Sequence, residues 1–201
     1  MLVKLSREEE LSKCSLRPSN DIYLFSNIFS EDMCNKLVEH IKKNAKDRLV
    51  VGEGQNVQAY EGEIFFGDPF FKSISSKLID IGNFVKNKYF ITFGTYNEYN
   101  HEAINMRKIY GPTRLHCDSP ISNLSDPDYS VTVKEIRTLS VIIALNGDYD
   151  GGEIVFPCQN FKTKLEQGEA IAFPPHWTHP HYTEDLKNNT FRYTINTWLT
   201  I

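Results

Sequence analysis

Apolar and polar positions follow two different periods along this chain, and the change from one to the other falls near residue 89. Before it the spacing is helical. Leu37, Val38 and Ile41 share one face of a helix that starts at Ser30. The Ser30 side chain can cap the first turn, and Glu31 and Asp32 suit its positive end. Phe70, Ile74, Leu78, Ile79 and Ile81 repeat at the spacing of a second helix running to about Lys88. Asp68-Pro69, a capping residue with proline at the first helical position, announces it. Ile22–Phe25 suits a short strand, the Gly-, Gln- and Asn-rich stretch Val51–Ala59 a loop, and the polar residues 1–20 a flexible arm.

Beyond residue 89, short runs rich in Val, Ile, Thr, Tyr and Phe alternate with Gly, Pro, Asn and Asp turns. Ile104–Tyr110, Val131–Asn146, Glu153–Phe156, Glu169–Phe173 and Phe191–Leu199 are the clearest of these runs. Many short strands separated by turn signals predict a sandwich or barrel and not βαβ units. The expected layout is two supporting helices followed by about eight strands, a mainly β domain of α+β type. At 201 residues the chain fits one domain spanning 1–201.

Composition narrows the function classes. The formal charge of -4, with basic residues scattered among acids, offers no phosphate-binding stripe, so no nucleic-acid partner is expected. Cys14, Cys34, Cys117 and Cys158 form no CxxC pair, which excludes a cysteine-ligated zinc site and a disulfide framework. No apolar run is long enough to cross a bilayer, and the first ten residues lack a signal-peptide core. A soluble, intracellular protein without a membrane partner is expected.

The candidate chemistry begins at Leu115-His116-Cys117-Asp118. On an extended strand His116 and Asp118 point to the same side and Cys117 to the other, which supplies an imidazole and a carboxylate for a metal. A third ligand must come from elsewhere; a 2-His-1-carboxylate set leaves open positions and is the arrangement of non-haem Fe(II) oxygenases. By itself the HxD pattern is common in a chain with six histidines. Near the C-terminus a glycine turn at Gly168 leads through an apolar strand to His176, His179 and His181, and then to Arg192, a lone arginine in an apolar run. A buried guanidinium there needs an anion, and its fork suits a carboxylate.

Taken in order, these pieces resemble the prolyl 4-hydroxylase-type Fe(II)/2-oxoglutarate dioxygenases. The resemblance covers 104–199, about half the chain. It runs through the strand ending in Tyr110, His116-Cys-Asp118, Arg137-Thr-Leu-Ser140 leading to Leu145-Asn146, Gly151-Gly152-Glu153 with Phe156-Pro157, Pro180-His181, and Arg192-Tyr193 to Trp198. It implies a double-stranded β-helix (jelly-roll) core. It also implies a catalytic set of His116, Asp118, His181 and Arg192, with Fe(II) on His116, Asp118 and His181 and the far carboxylate of 2-oxoglutarate on Arg192. Tyr110 would support that same end, Ser140 would line the cosubstrate pocket, and Arg137 and Trp198 would lie on the substrate side. Gly151-Gly152 fits a tight turn better than chemistry. Two departures stand out. Arg192 follows His181 by eleven positions where the family usually has about ten, and His179 offers an alternative distal ligand on the same strand face.

The activity implied is hydroxylation of a prolyl residue in a peptide or protein with Fe(II), 2-oxoglutarate and O2, and with ascorbate as a candidate reductant. The loops expected to shape the substrate groove are Ser119–Ser130 and Val51–Ala59. Two alternatives stay open: a related oxygenase acting on a free amino acid, small metabolite or other side chain, and a non-catalytic metal-binding jelly-roll scaffold. The oligomeric state is not legible in the sequence.

Overall fold

The computed structural model describes residues 21–44, 47–50, 58–64, 67–89, 100–101, 104–118 and 137–200. Strand β1 (Tyr23–Phe25) precedes helix α1 (Glu31–Asn44), and β2 (Asp47–Val50) and β3 (Gln58–Ile64) lead to helix α2 (Phe71–Tyr89). The strand-rich half follows: β4 (Asn100–His101), β5 (Ile104–Ile109), β6 (Thr113–His116), β7 (Arg137–Ala144), β8 (Asp150–Gly151), β9 (Ile154–Phe156), β10 (Phe161–Thr163), β11 (Ala170–Phe173), β12 (His181–Thr183), β13 (Leu186–Lys187) and β14 (Arg192–Thr200).

The helices begin where their caps dictate. Ser30 Oγ accepts from the Met33 amide at 3.3 Å, and Asp68 Oδ1 accepts from the Phe70 amide at 2.8 Å. The Asp68 carbonyl also accepts from the Phe71 amide at 3.0 Å. Asp68 thus closes a capped turn first, and α2 starts at Phe71, slightly later than its proline signal indicates.

The large sheet is ordered β1-β11-β7-β14-β5-β3-β2, with β4 also on β14, and the small sheet β10-β9-β12-β6; pairing in both is antiparallel. The period-2 pattern divides the buried side chains into two cores. Leu37 and Ile41 of α1 and Ile74, Leu78 and Ile81 of α2 pack with Met106, Val141 and Ile195 on the helix-facing side of the large sheet. Ala144, Ile154, Phe156, Ile171 and Phe173 pack in a second cluster, drawn from strands of both sheets. Two antiparallel sheets facing each other, with helices behind the larger one, make a jelly-roll.

Two expectations need amendment. Strands β2 and β3 lie between the helices, where a loop was expected over Val51–Ala59; β3 takes its last two residues, and 51–57 lie outside the described residues. The run Val131–Asn146 contributes strand from Arg137 to Ala144, and 131–136 lie outside. The arm at 1–20 and the loop Ser119–Ser130 also lie outside the described residues.

Candidate functional site

The two histidine strands are neighbours. β6 and β12 pair antiparallel with His116 directly across from His181, and their rings stand 4.4 Å apart, centroid to centroid. Strand β6 ends at His116, and Asp118 follows in a bend, two residues on, with its carboxylate still on the imidazole side. Asp118 Oδ1 lies 3.3 Å from His116 Nε2 and 3.7 Å from His181 Nε2. One ligand atom from each residue lies within 4.8 Å of the other two, a spacing suited to a metal ion. His179 lies outside this group. It is buried, its Nδ1 is 2.9 Å from Thr178 Oγ1, and its carbonyl contacts the His181 ring.

The hydrogen bonds decide which atoms face the centre. His116 Nδ1 lies 2.7 Å from the Arg114 carbonyl, and His181 Nδ1 lies 3.1 Å from the His179 carbonyl. A carbonyl only accepts, so both Nδ1 atoms carry protons and both Nε2 atoms present lone pairs. Ser140 Oγ donates to Asp118 Oδ2 at 2.6 Å, which leaves Oδ1 to face the histidines. With both imidazoles neutral, three lone-pair atoms converge, an arrangement that fits a cation. Phe173 and Phe156 pack on the His181 ring at 4.7 and 5.3 Å and hold its plane.

The electrostatics agree. Burial alone would raise the Asp118 carboxyl, but the His116 hydrogen bond, the His181 ring and the Ser140 hydroxyl outweigh it and hold it well below the usual carboxylate range. Burial opposes protonation of His116, yet the Asp118 carboxylate and the Arg114 carbonyl outweigh it and raise its pKa. Burial dominates at His181 and lowers its pKa, which favours the neutral, ligating form.

The same cavity is lined by Arg192 from the start of β14. Arg192 is 5% exposed, one terminal nitrogen donates to the Gly152 carbonyl at 2.9 Å, and Nε is buried without a hydrogen-bond partner among the described residues. Among the described residues no carboxylate pairs with it. A buried N–H without an acceptor is costly, so the donor fits an anionic ligand such as the far carboxylate of 2-oxoglutarate. Gly152, at φ +68°, allows the close approach: a Cβ there would meet Arg192 Cδ at 3.2 Å and Leu186 Cδ2 at 2.8 Å.

Other expected positions fall differently. Ser140 lines the cavity, but its hydroxyl is committed to Asp118. Tyr110 turns away. It sits beyond the end of β5, edge-on to Phe191 at 4.8 Å with the Lys108 ammonium 4.8 Å from its ring, while Arg107 and Ile109 face the cavity from the same strand. The strand's alternation puts 108 and 110 on the face opposite 107 and 109. Arg137 stacks on Trp198 at 3.8 Å and donates to the Asp118 carbonyl, and Trp198 lines the cavity with its indole N–H buried and unpartnered. Thr113, Thr183 and Asn196 also line it. Nothing in the sequence alone distinguishes these from other strand residues.

This combination of a jelly-roll with two histidines and a carboxylate defines a class. Residues 106–200 match the family model of the 2OG-Fe(II) oxygenase superfamily. No curated protein matches the chain in sequence. Solved structures do share its fold. The viral collagen prolyl hydroxylase from Paramecium Bursaria Chlorella virus-1 superposes with a TM-score of 0.66 at 19% identity, over 90% of this chain and 96% of that one. A Pseudomonas putida prolyl-4-hydroxylase gives 0.60 at 14% identity, over 96% of each chain. A Trichoplax adhaerens prolyl hydroxylase, solved with a hypoxia inducible factor peptide fragment, gives 0.59 at 13% identity, over 96% of this chain and 88% of that one.

Proposed function

We propose that this chain hydroxylates a prolyl residue in a peptide or protein, with Fe(II) held by His116, Asp118 and His181 and 2-oxoglutarate anchored by Arg192. The observation that carries the reading is the pairing, in one cavity, of three converging lone-pair atoms with a buried arginine that has an unanswered N–H. When bound, the iron and 2-oxoglutarate supply oxygen activation coupled to decarboxylation of the cosubstrate to succinate, chemistry beyond acid–base side chains. The chain's own residues orient and shield. The Arg114 and His179 carbonyls fix the two imidazoles, Ser140 turns the carboxylate, and Phe156 and Phe173 keep water from the His181 side. Arg137, laid on Trp198 above the Asp118 backbone, stands where it can orient a substrate.

The prolyl assignment is supported by the resemblance in the strand-rich half and by the fold shared with three prolyl hydroxylases. A scaffold without turnover has no use for a buried arginine with no carboxylate partner among the described residues beside a metal site. The test is mass spectrometry of proline-containing peptides after aerobic incubation with Fe(II), 2-oxoglutarate and ascorbate. One oxygen added at proline, with equimolar succinate, is expected. Oxygen added to free proline or another metabolite, with peptides untouched, would replace this substrate class with the small-molecule alternative.

A further inference from the structure

The outer face of the small sheet brings together two thiols, Cys117 and Cys158, that the metal reading does not use. His116 pairs with His181 across β6 and β12, and Tyr182 pairs with Val155 across β12 and β9. Continuing both registers by one residue sets Cys117 and Pro157 on either side of Pro180, with Cys158 next along the chain. His116, His181 and Phe156 point inward, where their rings pack together, so the alternation turns Cys117 to the outer face. Beyond β9 the chain bends into a 3-10 turn, Pro157–Gln159, and Gln159 Nε2 donates to the Thr178 carbonyl at 2.8 Å. That bond lays the turn against the lead-in to β12, the strand that separates it from β6.

Both thiols are free, Cys117 half-buried and Cys158 exposed. They stand near enough for one charge to act on the other: burial raises the Cys117 pKa, and Asp118 and then Cys158 add to the rise. Two strand spacings put the Cα atoms of Cys117 and Pro157 about 10 Å apart, whereas a disulfide needs roughly 4.4–6.8 Å. The remaining few ångströms must come from backbone outside the ladders. Cys117 lies just past the end of β6, and Cys158 lies in the turn between β9 and β10, so both are so placed.

We propose that Cys117 and Cys158 form a reversible disulfide that loosens the metal site, a redox-sensitive pair on the outer side of the centre it controls. The oxidant is a hydroperoxide. Its O–O bond breaks as it oxidises the exposed Cys158 thiol to a sulfenic acid, and with hydrogen peroxide one water leaves. The Cys117 sulfur then attacks the Cys158 sulfur. The S–O bond breaks, the S–S bond forms, and the hydroxyl departs with the Cys117 proton as a second water. A dithiol reverses the step by exchange. Cys117 stands between His116 and Asp118, so closing the bond pulls both away from His181, whose ring Phe156 and Phe173 hold in place. The effect on metal rests on the metal reading above; the bond itself does not.

The test exposes the full chain, free of metal, to hydrogen peroxide at neutral pH, blocks the remaining thiols and maps unreduced peptides by mass spectrometry. A linked pair of peptides carrying Cys117 and Cys158, released by dithiothreitol and absent in Cys158→Ser, is expected. Mn(II) affinity, followed by electron paramagnetic resonance, should fall about tenfold or more on oxidation and recover on reduction. Cys158→Ser should keep its Mn(II) affinity through the same treatment. Folded protein without the link, or with a link only between two copies through Cys158, would overturn the inference. So would the link with Mn(II) affinity unchanged. If the reduced wild-type protein binds no Mn(II), it is the metal reading that fails, and the peptide map alone then decides whether the pair is a redox site.

Discussion

His116, Asp118 and His181, the candidate metal ligands, each have a neighbour that fixes which atom they present. Ser140 is the clearest case, because its hydroxyl must donate to Asp118 Oδ2 and thereby selects Oδ1 as the inward atom. Ser140→Ala is expected to weaken Mn(II) binding, followed by electron paramagnetic resonance, by about 10–100-fold. Asp118→Ala should abolish it. A Ser140→Ala variant with wild-type affinity would mean that the carboxylate is held by its backbone alone. A second residue-level prediction concerns the thiols. Burial pushes the Cys34 thiol from 9.0 up to about 11, with Glu31 adding to the shift and the Gly168 backbone opposing it. A folded-state pKa raised above the unfolded value contributes stability that is complete below about 9 and is lost as pH rises toward 11. At neutral pH a thiol reagent should modify exposed Cys158 in the native protein and reach Cys34 only after unfolding. Rapid native labelling of Cys34 would contradict its burial.

These neighbours also mark what was legible in the sequence. His116, Asp118, His181 and Arg192 could be picked out because their chemistry is costly to bury unless it is used. The structure brings all four to one cavity. Ser140's commitment to Asp118 and Tyr110's outward turn could not be read, because both depend on which strand face meets which partner. One residue of slip in a period-2 pattern reverses every facing. The Thr113–Thr183 hydrogen bond is hidden for the same reason, as its members lie seventy residues apart.

Elements that lie on an apolar run were legible, down to the short β1, β9 and β11, while β3, with few apolar residues, and the two-residue strands were not. Helix α1 and strands β5, β7, β11 and β14 lie on their predicted runs because each carries several turns or alternations of apolar residues. Strands β8 and β13 hold two residues each, too few for any period. The weight of the fold nonetheless rests partly on a short element. Phe156, the last residue of β9, is fully buried and packs on Phe173 at 4.9 Å as well as on His181. Phe156→Ala is expected to cost about 3–5 kcal/mol in chemical denaturation and to loosen the His181 ring. By contrast, Asp68→Ala removes the cap of α2 and the contact with His40 Nε2 at 3.4 Å, and should cost about 1 kcal/mol without changing metal affinity. Equal losses in the two variants would mean that the core between the sheets is less tightly packed than these distances imply.

At the scale of the whole molecule, helices brace one face of the large sheet and leave its other face to the small sheet and the cavity. The proposed ligands come from separate strands of the strand-rich half, so metal binding should stabilise the entire jelly-roll. At a free metal concentration of 100 times Kd the gain is about 2.7 kcal/mol, visible as a higher Tm that a chelator reverses. That gain should fade on acidification. The ligating imidazoles must be free of protons, and His116, whose pKa is raised by Asp118 and Arg114, is the first to take one up as pH falls. A metal-induced Tm shift that grew as pH fell would exclude imidazole ligation.

The most direct measurement is an anaerobic titration of the protein with Fe(II) and 2-oxoglutarate followed by visible absorption. The account predicts a charge-transfer band that requires both additions, disappears in His181→Ala and demands far more 2-oxoglutarate in Arg192→Met. Folded wild-type protein that shows no band and no Fe(II) affinity would contradict it, and the convergence of His116, Asp118 and His181 would then be structural.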